Sequence, residues 1–498
     1  PAAGARAGCA AVATAANAVP ATGVSGERIF VLSSQRAFGW VGLASVLARL
    51  GAVEDVTVFD VGVAGTSGST SFIRAAQLGA SRQRALARVM LRDSLRVVAP
   101  AVRYAGSLVE TIHANEAASL LSEAMCYSAM STMAGVARLL APALDTVRTR
   151  APRTDAFEQI ERTFASLADL PGVPGHEWRV RDAIMAALPA WARSAATVDT
   201  AGNLIVAFGP DRDTVAFVAH MDEVSFEVSG INSNGTVGLA RRGGVVITAW
   251  EGQPAMLHFD RDASGAVREP VRGVFVPRDS ARTKSPRELV AWFGLDSAAL
   301  VARGVRIGDG VTAYKRGARL AGTRFTARGS DDRTGSTALL LALPRVERTG
   351  LAHKVLFVWS TREEGGLLGA SAFGAQHGRS LMRVYAVDTF VSSDTPLELP
   401  MFAYAPLGRG AVLRVLDDGS IVPRAERDRI IAIARARGIP LQLGTTHGAT
   451  DGSAIAPYGA PNIGLSWPGR YSHSPAEVLD FRDVDALIRL IAAVAVIK

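Results

Sequence analysis

Val215-Ala216-Phe217-Val218-Ala219-His220-Met221-Asp222-Glu223 is the stretch that decides how this chain is read. The apolar run is too short for an amphipathic helix and is bounded by polar sequence, so it reads as a strand buried on both faces. Strands of that kind belong to parallel sheets covered by helices. The run stops at His220, and Asp222 and Glu223 follow at once. Polar residues at such a strand end look into the crevice where open α/β sheets bind ligands.

Working outward, four more polar motifs fall in order: Asp331-Asp332-Arg333-Thr334-Gly335, Glu363-Glu364-Gly365, Val387-Asp388-Thr389 and Arg470-Tyr471-Ser472-His473. Most of them follow, or sit near the end of, an apolar run. Histidines and carboxylates without cysteine suit Zn²⁺, Co²⁺ or Mn²⁺. In His220-x-Asp222 the imidazole can bind a metal while Asp222 holds its other nitrogen and fixes the tautomer. Asp331 and Asp332 diverge on an extended backbone, so one of the pair is expected to be a direct ligand. A bridging carboxylate can hold two cations about 3.5–4 Å apart. The same pair would also suit the N-terminus of the helix expected from about Thr334. Glu363 and Glu364 repel each other unless a cation or a shared proton separates them. Their opposite directions let Glu364 bind metal while Glu363 faces the substrate as a base. Asp388, after the expected strand Val384–Val387, is costly to bury unless paired or metal-bound. His447 and Asp451 lie in the Gly/Thr-rich stretch Gly444–Gly452, which is suited to lining a substrate pocket, and Arg470 is a further pocket candidate.

Composition narrows the function classes. The chain has 498 residues, 48% hydrophobic and 20% charged, as expected of a soluble protein with more than one domain. Its longest apolar stretch, Ala37–Leu47, is far short of the ~18 residues that span a bilayer. Cys9 and Cys126 make neither a disulfide framework nor a metal knuckle. The net charge is +8, but the arginines that dominate it are scattered, with no aromatic-interleaved basic strip, which argues against nucleic acid. Residues 1–23 form an Ala-rich leader carrying Arg6 and Ala16-Asn17-Ala18. It reads either as a secretory signal with an A-x-A site or as an unstructured leader, so cytoplasmic and exported locations both stay open.

Three regions follow the leader. Residues 24–150 form an N-terminal α/β-helical extension with no assignable constellation; strands are expected at 28–32 and 56–60 around a helix at 40–50, and His113 reads as an ordinary helix residue. A catalytic domain occupies 151–224 and 326–498. Between its halves, residues 225–325 carry short β-like runs and turn signals such as Asn234-Gly235, and read as an inserted β-rich, barrel-like domain. After Asp331 the α/β pattern resumes with helix 337–343, strand 354–359, helix 367–376 and helix 423–438.

The segments GVPGHE, DTAGN, HMDE, DDRTG, TREEGGLLGA, AVDTF, GATDGSAI and RYSHSPAE together resemble the glutamyl, or tetrahedral, aminopeptidases of metallopeptidase family 42. The resemblance runs from about Phe157 to Lys498. It implies a mixed-sheet α/β/α phosphorylase/hydrolase-like catalytic domain and two divalent ions, zinc foremost, with cobalt or manganese as alternatives. It also implies His220 with Asp388 on one ion, Glu364 with His473 on the other, Asp331 bridging, and Glu363 as general acid/base. The implied reaction is removal of the N-terminal residue from short peptides, by a homo-oligomer between dimer and dodecamer assembled through the inserted domain. The extension of residues 24–150 is absent from typical members. Two other functions fit the same residues: a carboxypeptidase or N-acyl-amino-acid amidohydrolase of the same clan, which needs a cationic clamp for a carboxylate that Arg333 or Arg470 could be mistaken for, and a non-catalytic peptide-binding module.

Overall fold

Along Thr214–His220 successive side chains enter opposite hydrophobic clusters: Val215, Phe217 and Ala219 join one, Ala216 and Val218 the other. That is the two-residue period of a strand covered on both faces. The computed structural model describes residues 156–277, 289–393 and 403–497, with short pieces between residues 9 and 112. The chain divides into two compact units, Pro1–Pro152 and Arg153–Lys498.

In the first unit, Val56–Phe59 and Leu95–Val98 pair in parallel, and Ser71–Phe72 pairs antiparallel to the latter. The strand expected at 56–60 is therefore present. Most of the leader, the strand expected at 28–32 apart from Leu32, the helix at 40–50 and His113 lie outside the described residues.

The second unit is built on one eight-stranded mixed sheet. In chain order its strands are β1 (Ala196–Val198), β2 (Leu204–Phe208), β3 (Thr214–His220), β4 (Val355–Ser360), β5 (Leu381–Val391), β6 (Ala411–Leu416), β7 (Leu441–Thr445) and β8 (Asn462–Gly469). The spatial order is β7-β6-β8-β5-β3-β4-β2-β1. The central run β4-β3-β5-β8 is parallel, so the ends of these strands share one edge of the sheet. Its register sets His220 beside Ser360 and Asp388 beside Ser466. Phe208, Phe357, Phe217 and Tyr385 stack across β2, β4, β3 and β5 with centroids 5.9, 5.3 and 4.7 Å apart. Stacked pairs of this kind add roughly 0.5–1.5 kcal/mol each beyond their buried area and oppose any slip of the strands. Helices Glu158–Ala168, Ser330–Ala342, Arg424–Ala436 and Phe481–Val496 pack on one face, and Leu368–His377 with Asp451–Ile455 on the other.

One sequence expectation is corrected here. Asp388 does not follow its strand: β5 continues to Val391, because it stays paired with β8 as far as Gly469. The helix expected from about Thr334 is present: its regular turns follow Asp331 and Asp332, whose own backbones are non-helical.

Between β3 and Ser330 the chain forms a closed antiparallel barrel of six strands. In order around it these are Thr236–Arg242, Val290–Trp292, Val271–Phe275, Pro254–Leu257, Gly310–Ala313 and Ser225–Ile231. Closure leaves no open sheet edge. Phe226, Trp250 and Phe275 fill its interior, with Trp250 edge-on to both phenylalanines. Ala318–Arg319 and Arg324–Ala327 then pair with each other, and Arg324–Ala327 also pairs with Glu477–Asp480, returning the chain to the sheet.

Candidate functional site

His220 ends β3, and the loop after β4 delivers Glu363 and Glu364 beside it. Asp222, fully buried, holds that loop: one of its carboxylate oxygens accepts the Glu363 N–H and the other the Glu364 N–H, both at 3.0 Å. The first of these oxygens also stands 3.5 Å from His220 Nδ1. Asp331 enters ahead of the regular turns of its helix, and the peptide bond joining it to Asp332 is cis. His473 comes from the loop after β8, where Tyr471 and His473 both adopt left-handed backbones at φ 59° and 65°. Such conformations cost non-glycine residues about 1–3 kcal/mol and persist where the surroundings over-determine them.

The side chains converge. His220 Nε2 lies 3.3 Å from Asp331 Oδ1, and His473 Nε2 lies 3.8 Å from Asp331 Oδ2 and 3.4 Å from Glu364 Oε1. Three sets offer ligand atoms within 4.8 Å of one another: His220 with Asp331 and Asp388, Asp331 with Glu364 and His473, and His220 with Glu363 and Glu364. Glu363 Oε2 stands 3.9 Å from His220 Nε2 and is the more exposed glutamate of the pair.

The electrostatics explain why such a cluster calls for cations. Burial, reinforced by neighbouring carboxylates, raises Glu363 and Asp388 well above the usual carboxylate range and raises Glu364 as well, although His220 opposes each shift. His220 and His473 are shifted up too: burial opposes their charged forms, but the surrounding acids win, and His473 reaches about 10. Concentrated negative charge in a dry site is stabilised by protons or by metal. Asp331 Oδ1 and Glu364 Oε1 are buried without a well-formed hydrogen bond, as oxygens reserved for a cation would be. The residues present fit divalent ions.

Of the other sequence candidates, Asp451 is buried under the strand ends, accepts a hydrogen bond from Ser360 Oγ and is pushed up to about 6, burial being the main cause. His447 is not gathered into the cluster; its side chain is 77% exposed and faces Asp418 at 3.2 Å. Arg470 pairs through its backbone with Val478. Arg333 is fully buried, 3.5 Å from Glu223, which also receives Arg328.

Two acids at the site went unassigned in the sequence reading. Glu477 accepts N–H groups from both Asp331 (3.1 Å) and His473 (2.8 Å). Glu177 accepts from Gly175 (2.7 Å) and Arg362 (2.9 Å), and burial followed by the Asp222 charge raises it to about 7. Both lie in stretches that carry the family resemblance, RYSHSPAE and GVPGHE, which was the available signal.

A parallel-centred sheet that ends in a cluster of histidines and buried carboxylates, with a barrel inserted beside them, defines a metal-dependent peptide hydrolase. Residues 202–490 match the M42 glutamyl aminopeptidase family, more than half of the chain, and the chain belongs to that family. It is 27% identical to the lysyl aminopeptidase of Pyrococcus furiosus over 66% of this chain and 94% of that protein. It superposes on an aminopeptidase from the archaeon Desulfurococcus kamchatkensis with a TM-score of 0.63 at 27% identity, covering 68% of this chain and 94% of that one. A third relative is the TET1 peptidase of Pyrococcus horikoshii, which can assemble into a tetrahedron or a large octahedral shell. It superposes with a TM-score of 0.60 at 29% identity, covering 68% of this chain and 98% of that one.

Proposed function

We propose that this protein removes the N-terminal residue of short peptides by hydrolysis, using two divalent ions. His220, Asp331 and Asp388 would hold one ion, and Asp331, Glu364 and His473 the other. The observation that carries the reading is the placement of Asp331, whose two oxygens face different histidines. When bound, such ions polarise a scissile carbonyl and bring the pKa of water toward ~7.

The protein's own groups supply the rest. Glu363 stands beside the ligands, its carboxyl raised above the usual carboxylate range by burial, the direction that suits a group which both takes and returns a proton. It takes the proton from the attacking water and returns it to the departing amine. Asp222 fixes the Glu363 backbone and faces the His220 ring, so base and ligand are aligned by one carboxylate. The excess of carboxylates suits a substrate bearing a free α-ammonium group. Zinc is the expected ion, with cobalt or manganese as alternatives. By analogy with the TET1 peptidase, the chain is expected to act as a homo-oligomer.

The reading of a carboxypeptidase or N-acyl-amino-acid amidohydrolase needs a cationic clamp, and Arg333 is committed to Glu223 in the interior. A non-catalytic peptide-binding module would have no use for Glu363. The test is a panel of aminoacyl chromogenic substrates with metal-stripped enzyme resupplied with Zn²⁺, Co²⁺ or Mn²⁺, alongside the matching N-acetylated substrates. Free amines should be cleaved and blocked ones spared. Cleavage of the blocked set overturns the reading, as does inactivity toward both sets.

A further inference from the structure

The two candidate histidines are oriented by different parts of the fold. His220 faces Asp222, two residues along its own chain. His473 is gripped from two sides. From the catalytic side, Glu477 Oε1 accepts its N–H at 2.8 Å while Oε2 accepts the N–H of Asp331 at 3.1 Å, so one buried carboxylate ties together the backbones of two residues placed at the same ion. From the barrel side, the turn after Thr236–Arg242 holds both ring and backbone. The Gly244 carbonyl lies 3.0 Å from His473 Nδ1. The Trp250 indole N–H and the Val246 N–H both donate to the His473 carbonyl, at 3.1 and 3.2 Å.

A carbonyl can only accept, so this contact keeps a ring proton on Nδ1, and in the neutral ring that a metal requires it leaves the Nε2 lone pair on the side of Asp331 and Glu364. The histidine backbone is left-handed, a conformation that needs external restraint. Trp250 itself is anchored between Phe226 and Phe275 in the barrel interior, so the position of its indole N–H is set by barrel packing.

We propose that Glu477 and the Gly244–Trp250 segment of the barrel form a positioning clamp on His473. The ion at Asp331, Glu364 and His473 is then secured by both the catalytic domain and the inserted domain, whereas the ion at His220 and Asp388 depends on the catalytic domain alone. This gives the barrel a role inside the metal centre in addition to any role in assembly. The proposal rests on the two-ion reading above.

The experiment uses the full-length protein, stripped of metal and titrated with Zn²⁺, then with Co²⁺ to follow its visible absorption. Three variants are compared with the unaltered protein: Trp250→Phe, which keeps the ring packing but loses the N–H; Glu477→Gln, which turns one acceptor into a donor; and Gly244→Ala. Gly244 is exposed, and a Cβ there would come within 2.9 Å of His473 Nδ1, so this change disturbs the ring without touching the barrel core. Trp250→Phe and Gly244→Ala are each expected to bind one ion normally and the second at least about tenfold more weakly, the scale on which partners of metal ligands act. For these two the Co²⁺ spectrum should change for that ion only, and turnover should recover in excess metal. Glu477→Gln, which also releases the backbone of Asp331, is expected to weaken both ions, the one at His473 more. Unchanged affinity for both ions, or equal weakening of both, in Gly244→Ala overturns the clamp even if the two buried variants fail to fold. If the unaltered protein binds fewer than two ions, the two-ion reading fails and the clamp with it. If it binds two and Gly244→Ala leaves them alone, the clamp alone fails.

Discussion

His220 Nε2 and Asp331 Oδ1 lie 3.3 Å apart, while the other oxygen of the same carboxylate faces His473. Asp331 thus stands between two imidazoles that come from opposite ends of the second unit's sequence. Asp331→Asn is expected to lower occupancy at both sites together, because a bridging ligand serves two ions. Asp332→Asn should leave both ions in place, since Asp332 belongs to none of the three candidate ligand sets and its Oδ1 already accepts from Gly335 N–H at 2.8 Å and Trp467 Nε1 at 3.1 Å. Elemental analysis of the two variants decides this. Loss of a single ion in Asp331→Asn, or matching losses in Asp332→Asn, would move the bridge elsewhere.

Glu363→Gln should keep both ions and lower turnover by at least ~10², the scale expected for a general base. The glutamate lies beside the ligands, and its loop is held through its backbone by Asp222, so the substitution removes proton transfer without loosening the loop. Near-wild-type turnover with two ions bound would remove Glu363 from the mechanism.

Much of this site was legible in the sequence because its residues follow apolar runs. His220 ends Val215–Ala219, and Glu363 and Glu364 come shortly after Val355–Ser360, so the apolar runs pointed to the strand ends where these candidates sit, while their roles came from the family resemblance. The mixed sheet and the inserted barrel were legible for a similar reason: the pattern changes character between Asp222 and Asp331 and then resumes. Glu477 and Glu177 were not, because their partners are backbone N–H groups up to 185 residues away, which leave no periodic trace. His447 shows the converse. Its Gly/Thr-rich surroundings look like a pocket wall, yet the side chain projects into solvent beside Asp418. Nor could strand length be judged from hydrophobicity alone at β5, where Asp388 and Thr389 are polar and still paired.

Metal loading should release protons. The apo imidazole of His473 is raised to about 10: burial opposes its charged form, but Glu364 and Asp331 outweigh that, so at pH 7 the ring is charged. A metal-ligating imidazole must be neutral, so binding displaces this proton and affinity rises as pH climbs toward 10. His220, shifted in the same direction, adds to the effect. Calorimetric titrations at pH 7 in two buffers of different ionisation enthalpy read the release directly. It should fall in His473→Ala. Loading without net proton release contradicts the charge balance described here.

Phe217 lies in the middle of the aromatic stack between β4 and β5 and is fully buried. Phe217→Ala is expected to cost about 3–5 kcal/mol of unfolding free energy, as large-to-small changes in a core do. Chemical denaturation of the metal-free protein measures this. A loss below about 1 kcal/mol would mean that neighbouring side chains refill the space and that the stack does not set the register.

Residues 1–152 form a unit of their own, and every residue in the three candidate ligand sets lies beyond Ala219. Boundaries between such units fall where few contacts cross, and a unit with its own hydrophobic core can fold alone. The core of the second unit runs from Ile160 to Ala495 and includes both faces of the sheet. A polypeptide spanning Arg153–Lys498 is therefore expected to be soluble, to bind two ions and to cleave a dipeptide with a free N-terminus, whatever happens to its assembly state. Light scattering, metal analysis and a dipeptide assay check the three parts separately. An insoluble product would mean that the first unit completes the core of the second. A soluble, metal-loaded product without activity would mean that the first unit contributes to the substrate site.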